Sequence, residues 1–302
     1  MSMHELVVVG AGPAGITASI YAARKRMEFL VVTRDIGGRT MLSSGIENYT
    51  GYQYISGAEL AKKFEEHMKE FDIQVKFDEV REVVPSEGGF RVIGSEGYLG
   101  KTVIIATGAR PRMLNIPGER EFLNRGVTYC ATCDAPLFSG RDVAVIGGGN
   151  SGLDATLQLT RIANRIYLIE RGNRLMGDES MVEKVRDSGN VRIMTGTEVL
   201  EIMGNRFVSG IRVRRGGSTE TLEAQGVFIE IGYVPNSEMV RGLVRLNELG
   251  EIVVDQRCRT SVGGIFAAGD VTSVPQKQII VAAGEGAKAA LGAYEYLQTG
   301  KW

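Results

Sequence analysis

The sequence predicts an α/β protein built from two dinucleotide-binding halves, and three observations predict it. An apolar run at 5–9 enters the turn Gly10-Ala11-Gly12-Pro13-Ala14-Gly15, continues as a helical stretch to about Arg26, and ends in a second apolar run at 29–32. The same plan returns at 143–146, with Gly147-Gly148-Gly149-Asn150-Ser151-Gly152, a helical stretch to about Ile162 and an apolar run at 166–169. Each half then passes through short alternating segments broken by glycine into a buried strand, closing at Thr107-Gly108 in the first and at Gly232 in the second. One G-x-G-x-x-G is weak; two of them, each between a strand and a helix, are specific.

The first glycine of such a turn permits the tight bend, and the second lets the backbone approach a pyrophosphate at the positive end of the next helix. The alternating segments read as antiparallel meanders set into otherwise parallel sheets. Ser56-Gly57-Ala58-Glu59 is a capping box opening a helix through Glu70, a feature the second half does not repeat. Leu60, Phe64, Met68 and Phe71 fall on one face of that helix, with His67 at its border. Near the C-terminus, Gly269-Asp270 ends a strand and places a carboxylate at the start of the next segment, within reach of a ribityl chain.

Composition narrows the classes further. Hydrophobic content of 43% and charged content of 24% are those of a soluble globular chain, and 302 residues suffice for two domains. The 40 glycines are about twice the usual share, as expected of repeated tight turns. A formal net charge of -1 offers no electrostatic case for nucleic acid or an acidic membrane. No signal-peptide pattern opens the chain, and no apolar run approaches a bilayer span. Three cysteines provide no disulfide framework, so a reducing, cytoplasmic compartment is expected.

Two of those cysteines, Cys130 and Cys133, form the C-x-x-C of "YCATCDAPL". The motif alone permits a metal half-site, a structural staple or an electron-carrying pair. A second C-x-x-C or a histidine pair would be needed for zinc, and the chain has neither, its two histidines being His4 and His67. A staple closing so small a loop gains little from unfolded-state entropy. The two nucleotide fingerprints weight the choice toward redox. Cys258 reads as an ordinary strand cysteine.

The stretches GAGPAG, GGRTMLSSGIENYTG, IIATGARPR, CATCD, VIGGGNSG and GIFAAGDVT, in that order, resemble the low-molecular-weight thioredoxin reductases over essentially the full length. The second half also resembles the flavoprotein subunit of alkyl hydroperoxide reductase, a family with an extra N-terminal thioredoxin-like region that this chain is expected to lack. The resemblance implies two Rossmann-like three-layer β/β/α domains of the FAD/NAD(P)-binding fold, one inserted in the other. The FAD domain would comprise 1–113 and 240–302, and the NAD(P)H domain 114–239. FAD contacts would fall on Gly10, Gly12, Pro13, Ala14, Gly15, Thr33, Gly38, Arg39, Thr40, Asn48, Thr107, Gly108, Gly269, Asp270, Lys277, Gln278 and Ile279. Nucleotide contacts would fall on Gly147, Gly149, Asn150, Ser151, Gly152, Glu170, Arg171 and Gly232. In the family scheme electrons pass from the nicotinamide through flavin to a Cys130–Cys133 disulfide. Cys133 is then the flavin-proximal sulfur, Cys130 attacks the partner's disulfide and Asp134 is the acid. The implied partner is thioredoxin or a glutaredoxin-like protein, the implied assembly is a homodimer, and rotation of the inserted domain is implied between hinges near 110–116 and 233–242. No metal is expected.

Two departures from the family pattern carry expectations of their own. Arg39 stands where the family usually has glutamine, and a cation near the flavin would favour its reduced, anionic form. Glu170 ends the strand after the second fingerprint, where NADPH-using members begin a basic cluster; only Arg171 remains of it, with Arg174 close by. A carboxylate there accepts from a ribose 2′-hydroxyl and repels a 2′-phosphate, so NADH is favoured over NADPH. The competing readings are a reductase serving a peroxidase through a carrier protein, a relative fed by a non-nicotinamide donor, and a flavin-binding redox sensor whose cysteines do not turn over.

Overall fold

The computed structural model describes residues 2–43 and 46–302; Ser44 and Gly45, inside the stretch GGRTMLSSGIENYTG, lie outside the described residues. The chain separates into two compact units. Met1–Leu42, Tyr49–Arg110 and Val234–Trp302 form the first, while Ser43–Asn48 and Pro111–Tyr233 form the second. The long changeovers fall at 110/111 and 233/234, within the short strands Ala109–Pro111 and Tyr233–Pro235, a few residues before the expected 113/114 and 239/240.

In the first unit Met3–Ala11 lies between Phe29–Ile36 and Gly97–Ile105, parallel to both, and Val75–Phe77 extends the edge beyond Phe29–Ile36. Gly97–Ile105 serves two neighbours. Its start pairs antiparallel with Gly89–Ile93, which pairs with Glu82–Ser86, and its end pairs parallel with Ile265–Ala267. The period of two along Met3–Ala11 then divides the core. Leu6 and Val8 pack with Ile16 and Ile20 of helix Pro13–Arg24 and Ala289 of helix Ile279–Thr299. Val7 and Val9 face Val83, Phe90 and Val92 of the meander. Both faces of the strand are therefore covered, which produces the three layers and explains its unbroken apolar run.

The second unit repeats this plan. Asp142–Ile146 pairs in parallel with Arg165–Ile169 and Gly226–Ile229, with Val191–Met194 and Val127–Thr128 outside them. Val143 and Val145 pack with Leu153 and Leu159 of helix Asn150–Leu159, while Ala144 and Ile146 face Ile202, Ile211 and Val213. The meander differs from the expectation. Thr197–Gly204, Val208–Arg215 and Ser218–Glu223 form a sheet of their own rather than joining the parallel one. Gln225 causes the break: its amide donates to the Asp142 carbonyl at 2.7 Å and its side chain accepts from the Asp142 amide at 2.9 Å. The chain is thereby turned before the next strand begins.

Helix Gly57–Glu70 opens as predicted, with the Ser56 hydroxyl accepting from the Glu59 amide at 3.2 Å and Glu59 accepting from the Ser56 amide at 3.0 Å. Leu60 and Met68 are buried and Phe64 and Phe71 pack against the core, whereas His67 is exposed. The second unit has a helix in the corresponding place, Glu179–Arg186, whose N-cap Asp178 makes no side-chain capping bond. Without a capping box it left little trace in the sequence.

Candidate active site

The two glycine turns have matching geometry. Gly10 and Gly147 adopt φ of +102° and +123°, conformations that side chains disfavour. The third glycines are jammed: a Cβ on Gly15 would lie 1.8 Å from the Gly10 carbonyl oxygen, and one on Gly152 would lie 1.8 Å from that of Gly147. The second glycines, Gly12 and Gly149, have nothing within 4 Å of a Cβ and are the N-caps of helices Pro13–Arg24 and Asn150–Leu159. Each turn thus offers an open cradle at a helix start, the shape a pyrophosphate requires. Pro13 at the first helical position sacrifices no helical hydrogen bond.

Around the first cradle, the Thr33 hydroxyl accepts from the Ala11 amide at 3.0 Å and donates to the Asp35 carbonyl at 2.7 Å. Gly38, Arg39 and Thr40 form a 3-10 turn whose Gly38 approaches Gly12, a Cβ there lying 3.3 Å from the Gly12 Cα. The Arg39 Nη1 meets the Asp270 Oδ2 at 3.0 Å, joining two residues 231 apart in sequence. The Thr40 hydroxyl is buried and finds no partner among the described residues, an orphan that a bound cofactor would satisfy. Thr107 and Gly108 close their strand, with the Thr107 carbonyl accepting from the Asn236 side chain at 2.8 Å.

Gly269 has φ of +79°, and its amide donates to the buried Glu285 carboxylate at 2.8 Å. Burial pushes the Glu285 carboxyl pKa upward. Lys277 is bound to Glu251 at 2.8 Å and donates to the Thr272 carbonyl. Gln278 stands at the N-cap position of helix Ile279–Thr299 without a side-chain capping bond, and Ile279 is the first helical residue. Asn48 falls in the segment Ser43–Asn48 grouped with the second unit.

Around the second cradle, Glu170 takes the place that Thr33 holds in the first. Its carboxylate accepts from the Gly148 amide at 2.7 Å and from the Gly172 amide at 2.5 Å. Arg171 and Ser151 are exposed; the Asn150 side chain accepts from the Asp178 amide at 2.7 Å. Gly232, with φ of +92°, has open space where its Cβ would be.

Cys130 and Cys133 form a disulfide, and both residues are half-buried. They occupy the same unit as the second cradle. Asp134 is only 2% exposed. It stands at the N-cap of the turn Ala135–Phe138 but makes no side-chain capping bond. Instead it accepts from the Thr128 hydroxyl, which itself accepts from the Cys130 amide at 3.2 Å. Glu230, at the end of strand Gly226–Ile229, accepts from the Ala131 amide at 3.1 Å. The residue before the motif is also fixed: Tyr129 donates to the buried Glu119 carboxylate at 2.9 Å, and Tyr233 donates to the Tyr129 carbonyl.

Thr128, Glu230 and Glu119 were not marked by sequence, because their meaning depends on a strand end meeting the motif from 99 residues away or on a turn five residues long. Cys258 also departs from expectation. It sits in a turn rather than a strand, at φ of +62°, because the Asp255 carboxylate accepts from the Arg257 and Arg259 amides and bends the chain there. Burial, followed by the nearby Glu285, pushes its thiol pKa up to about 12.

Residues 4–286 match the pyridine nucleotide-disulphide oxidoreductase family. The chain is 44% identical over 301 residues to an alkyl hydroperoxide reductase subunit of Pseudomonas putida, covering 97% of this chain and 58% of that protein. A NADH dehydrogenase of Bacillus subtilis (strain 168) is 44% identical over 297 residues, with 97% and 58% covered. The chain thus spans less than two thirds of the length of these relatives. Among solved structures, thioredoxin reductase from Streptococcus pyogenes superposes with a TM-score of 0.93 at 36% identity, covering 98% of this chain and 99% of that one. With two matched glycine cradles and a C-x-x-C disulfide in the unit of the second, this chain belongs to the pyridine nucleotide-disulphide oxidoreductase family.

Proposed function

We propose that this protein is a flavoprotein disulfide reductase that takes electrons from a nicotinamide nucleotide, preferably NADH, and delivers them to a protein of the thioredoxin type. The observation that carries the reading is the Cys130–Cys133 disulfide in the same unit as an open nucleotide cradle, with a buried carboxyl, Asp134, next to it. FAD, when bound, would supply the two-electron link between a nicotinamide and a disulfide. The fit of the first unit to it rests on the open cradle at Gly12 and the orphaned Thr40 hydroxyl.

In this reading Gly10, Gly12 and Gly15 shape the pyrophosphate cradle, and Asp270, oriented by Arg39, meets the ribityl side. Gly147, Gly149 and Gly152 shape the second cradle, and Glu170 accepts from the adenosine ribose. Opening the disulfide breaks one S–S bond with two electrons. Asp134 holds the proton delivered to the leaving sulfur, a role suited to a carboxyl shielded from water. Cys130 then attacks the partner's disulfide as its thiolate.

A second reading, delivery to a carrier protein that serves a peroxidase, draws support from the alkyl hydroperoxide reductase relatives, which are 40–44% identical to this chain. Anaerobic titration of the flavin-loaded protein with NADH, NADPH and dithionite, followed by absorbance, tests the donor side. Loss of the oxidised flavin band with NADH, followed by release of two thiols, is expected. Bleaching by dithionite alone would exclude a nicotinamide donor. Steady-state assays with thioredoxin and with a peroxidase carrier separate the two acceptors, and rapid reduction of DTNB with NADH excludes a sensor that does not turn over.

A further inference from the structure

We propose that Glu230 is a positioning residue that sets the acidity and reduction potential of the Cys130–Cys133 pair through the amide of Ala131. The inference rests on the reading of that pair as redox-active and goes beyond it.

The backbone of Glu230 is fixed by the second glycine turn. Its amide donates to the Ile146 carbonyl at 2.8 Å, and its own carbonyl oxygen would lie 2.3 Å from a Cβ on Gly147. From there the side chain reaches the motif, accepting from the Ala131 amide at 3.1 Å. That nitrogen is two bonds from the Cys130 Cα. The carboxylate therefore sits against the Cys130–Ala131 peptide, in a half-buried position where charge is weakly screened. Other titratable groups at this turn include Asp134, which accepts from Thr128, and Tyr129 and Tyr233, whose hydroxyls donate to Glu119 and to the Tyr129 carbonyl. Arg120 lies near Tyr129, and it is the positive charge that the Tyr129 hydroxyl senses.

Reduction of the disulfide breaks the S–S bond, takes two electrons from the reduced flavin and, with one proton, leaves one thiol and one thiolate. A negative charge beside Cys130 disfavours that thiolate. Glu230 thus raises the thiol pKa and, at any pH where the reduced pair is ionised, stabilises the disulfide and makes the dithiol a stronger reductant. The same residue's carbonyl faces Gly147, so Glu230 touches both the second glycine turn and the cysteine motif.

The test uses Glu230→Gln, which keeps an oxygen acceptor for the Ala131 amide and removes only the charge. In the flavin-loaded protein carrying Cys133→Ser, the rate of Cys130 alkylation by iodoacetamide is followed against pH by peptide mass. The midpoint is expected to fall by about one pH unit in the Gln variant. In the intact pair, equilibrated against dithiothreitol buffers, the disulfide should become about tenfold easier to reduce, about 30 mV. That gap should open above the variant's thiol midpoint and close below it, a pH signature that loosened packing alone does not give. Glu230→Asp, which retains the charge, should keep the wild-type profile. Wild-type alkylation and potential in Glu230→Gln, or a shift as large in Glu230→Asp, overturns the proposal. A pair that dithiothreitol reduces but the reduced flavin does not would instead overturn the reductase reading, leaving the Glu230 comparison intact.

Discussion

The Glu170 carboxylate accepts from the Gly148 amide at 2.7 Å, so an acidic side chain is locked into the second glycine turn itself. Its second oxygen is held by the Gly172 amide. A group so fixed presents negative charge where the adenosine ribose lies in this kind of turn. Wild-type kcat/KM should therefore be higher with NADH than with NADPH, and Glu170→Ala should reduce the NADH preference about tenfold, since hydrogen bonds to a charged group contribute ~1.5–3 kcal/mol. Higher kcat/KM with NADPH in the wild type would defeat this assignment.

Arg39 and Asp270 bind each other at 3.0 Å, which revises what the arginine can do alone. An isolated cation beside the flavin would raise its potential, but here a carboxylate offsets the charge. Arg39→Gln leaves Asp270 without that cation, and the flavin midpoint should fall by about 30 mV or more. Asp270→Asn added to Arg39→Gln should restore most of the change. Spectroelectrochemical titration of the three proteins reads both effects, and a double variant no closer to wild type would assign the effect to Arg39 alone.

Gly149 and Gly152 stand three residues apart in one turn yet should respond oppositely to alanine. The Gly152 Cβ has no room, so Gly152→Ala should cost about 3 kcal/mol and lower the Tm by several degrees. Gly149 has φ of −88° and open space, so Gly149→Ala should keep the Tm while weakening nucleotide binding about tenfold or more. Thermal melts beside equilibrium titrations with NADH separate the two.

Asp134 and Thr128 form a buried acceptor–donor pair next to the disulfide. Asp134→Asn should slow thiol–disulfide turnover by about 10²–10⁴, the usual worth of a positioned acid. Thr128→Val, which releases both the carboxyl and the Cys130 amide, should slow it about tenfold and displace the pH–rate profile. Stopped-flow flavin reduction should remain near wild type in both, because neither residue belongs to the flavin set.

Asp78 governs acid stability away from the site. Burial pushes its carboxyl pKa up, but amide hydrogen bonds from Ser95 and Glu96 and the Tyr98 hydroxyl outweigh this and hold it at about 2. A carboxyl depressed from 3.8 on folding stabilises the protein fully above that value, and the contribution is lost as pH falls toward 2. Asp78→Asn should therefore be less stable at neutral pH and should lose less stability between about pH 4 and 2, as urea melts would show.

Local pattern made much of this architecture legible. The glycine turns, their flanking strands and the capping box at Ser56 depend on a few adjacent residues, and the structure keeps all of them. The separate sheet of the second meander was not legible, because it depends on Gln225 reaching the Asp142 backbone 83 residues away. Nor was the position of Cys258, where two amides bound to Asp255 bend the chain out of the expected strand.

The sequence by itself determined that two glycine turns open onto helices and that a cysteine pair lies just ahead of the second. Those are short-range facts, set by steric limits within a few residues. Only the tertiary structure decided what faces the pair and the cradles. Glu230 on Ala131 and Arg39 on Asp270 are charge and hydrogen-bond pairings formed when segments 99 and 231 residues apart converge. Which carboxylate meets which amide depends on strand order and register, and those are fixed by the burial of both sheet faces rather than by any motif.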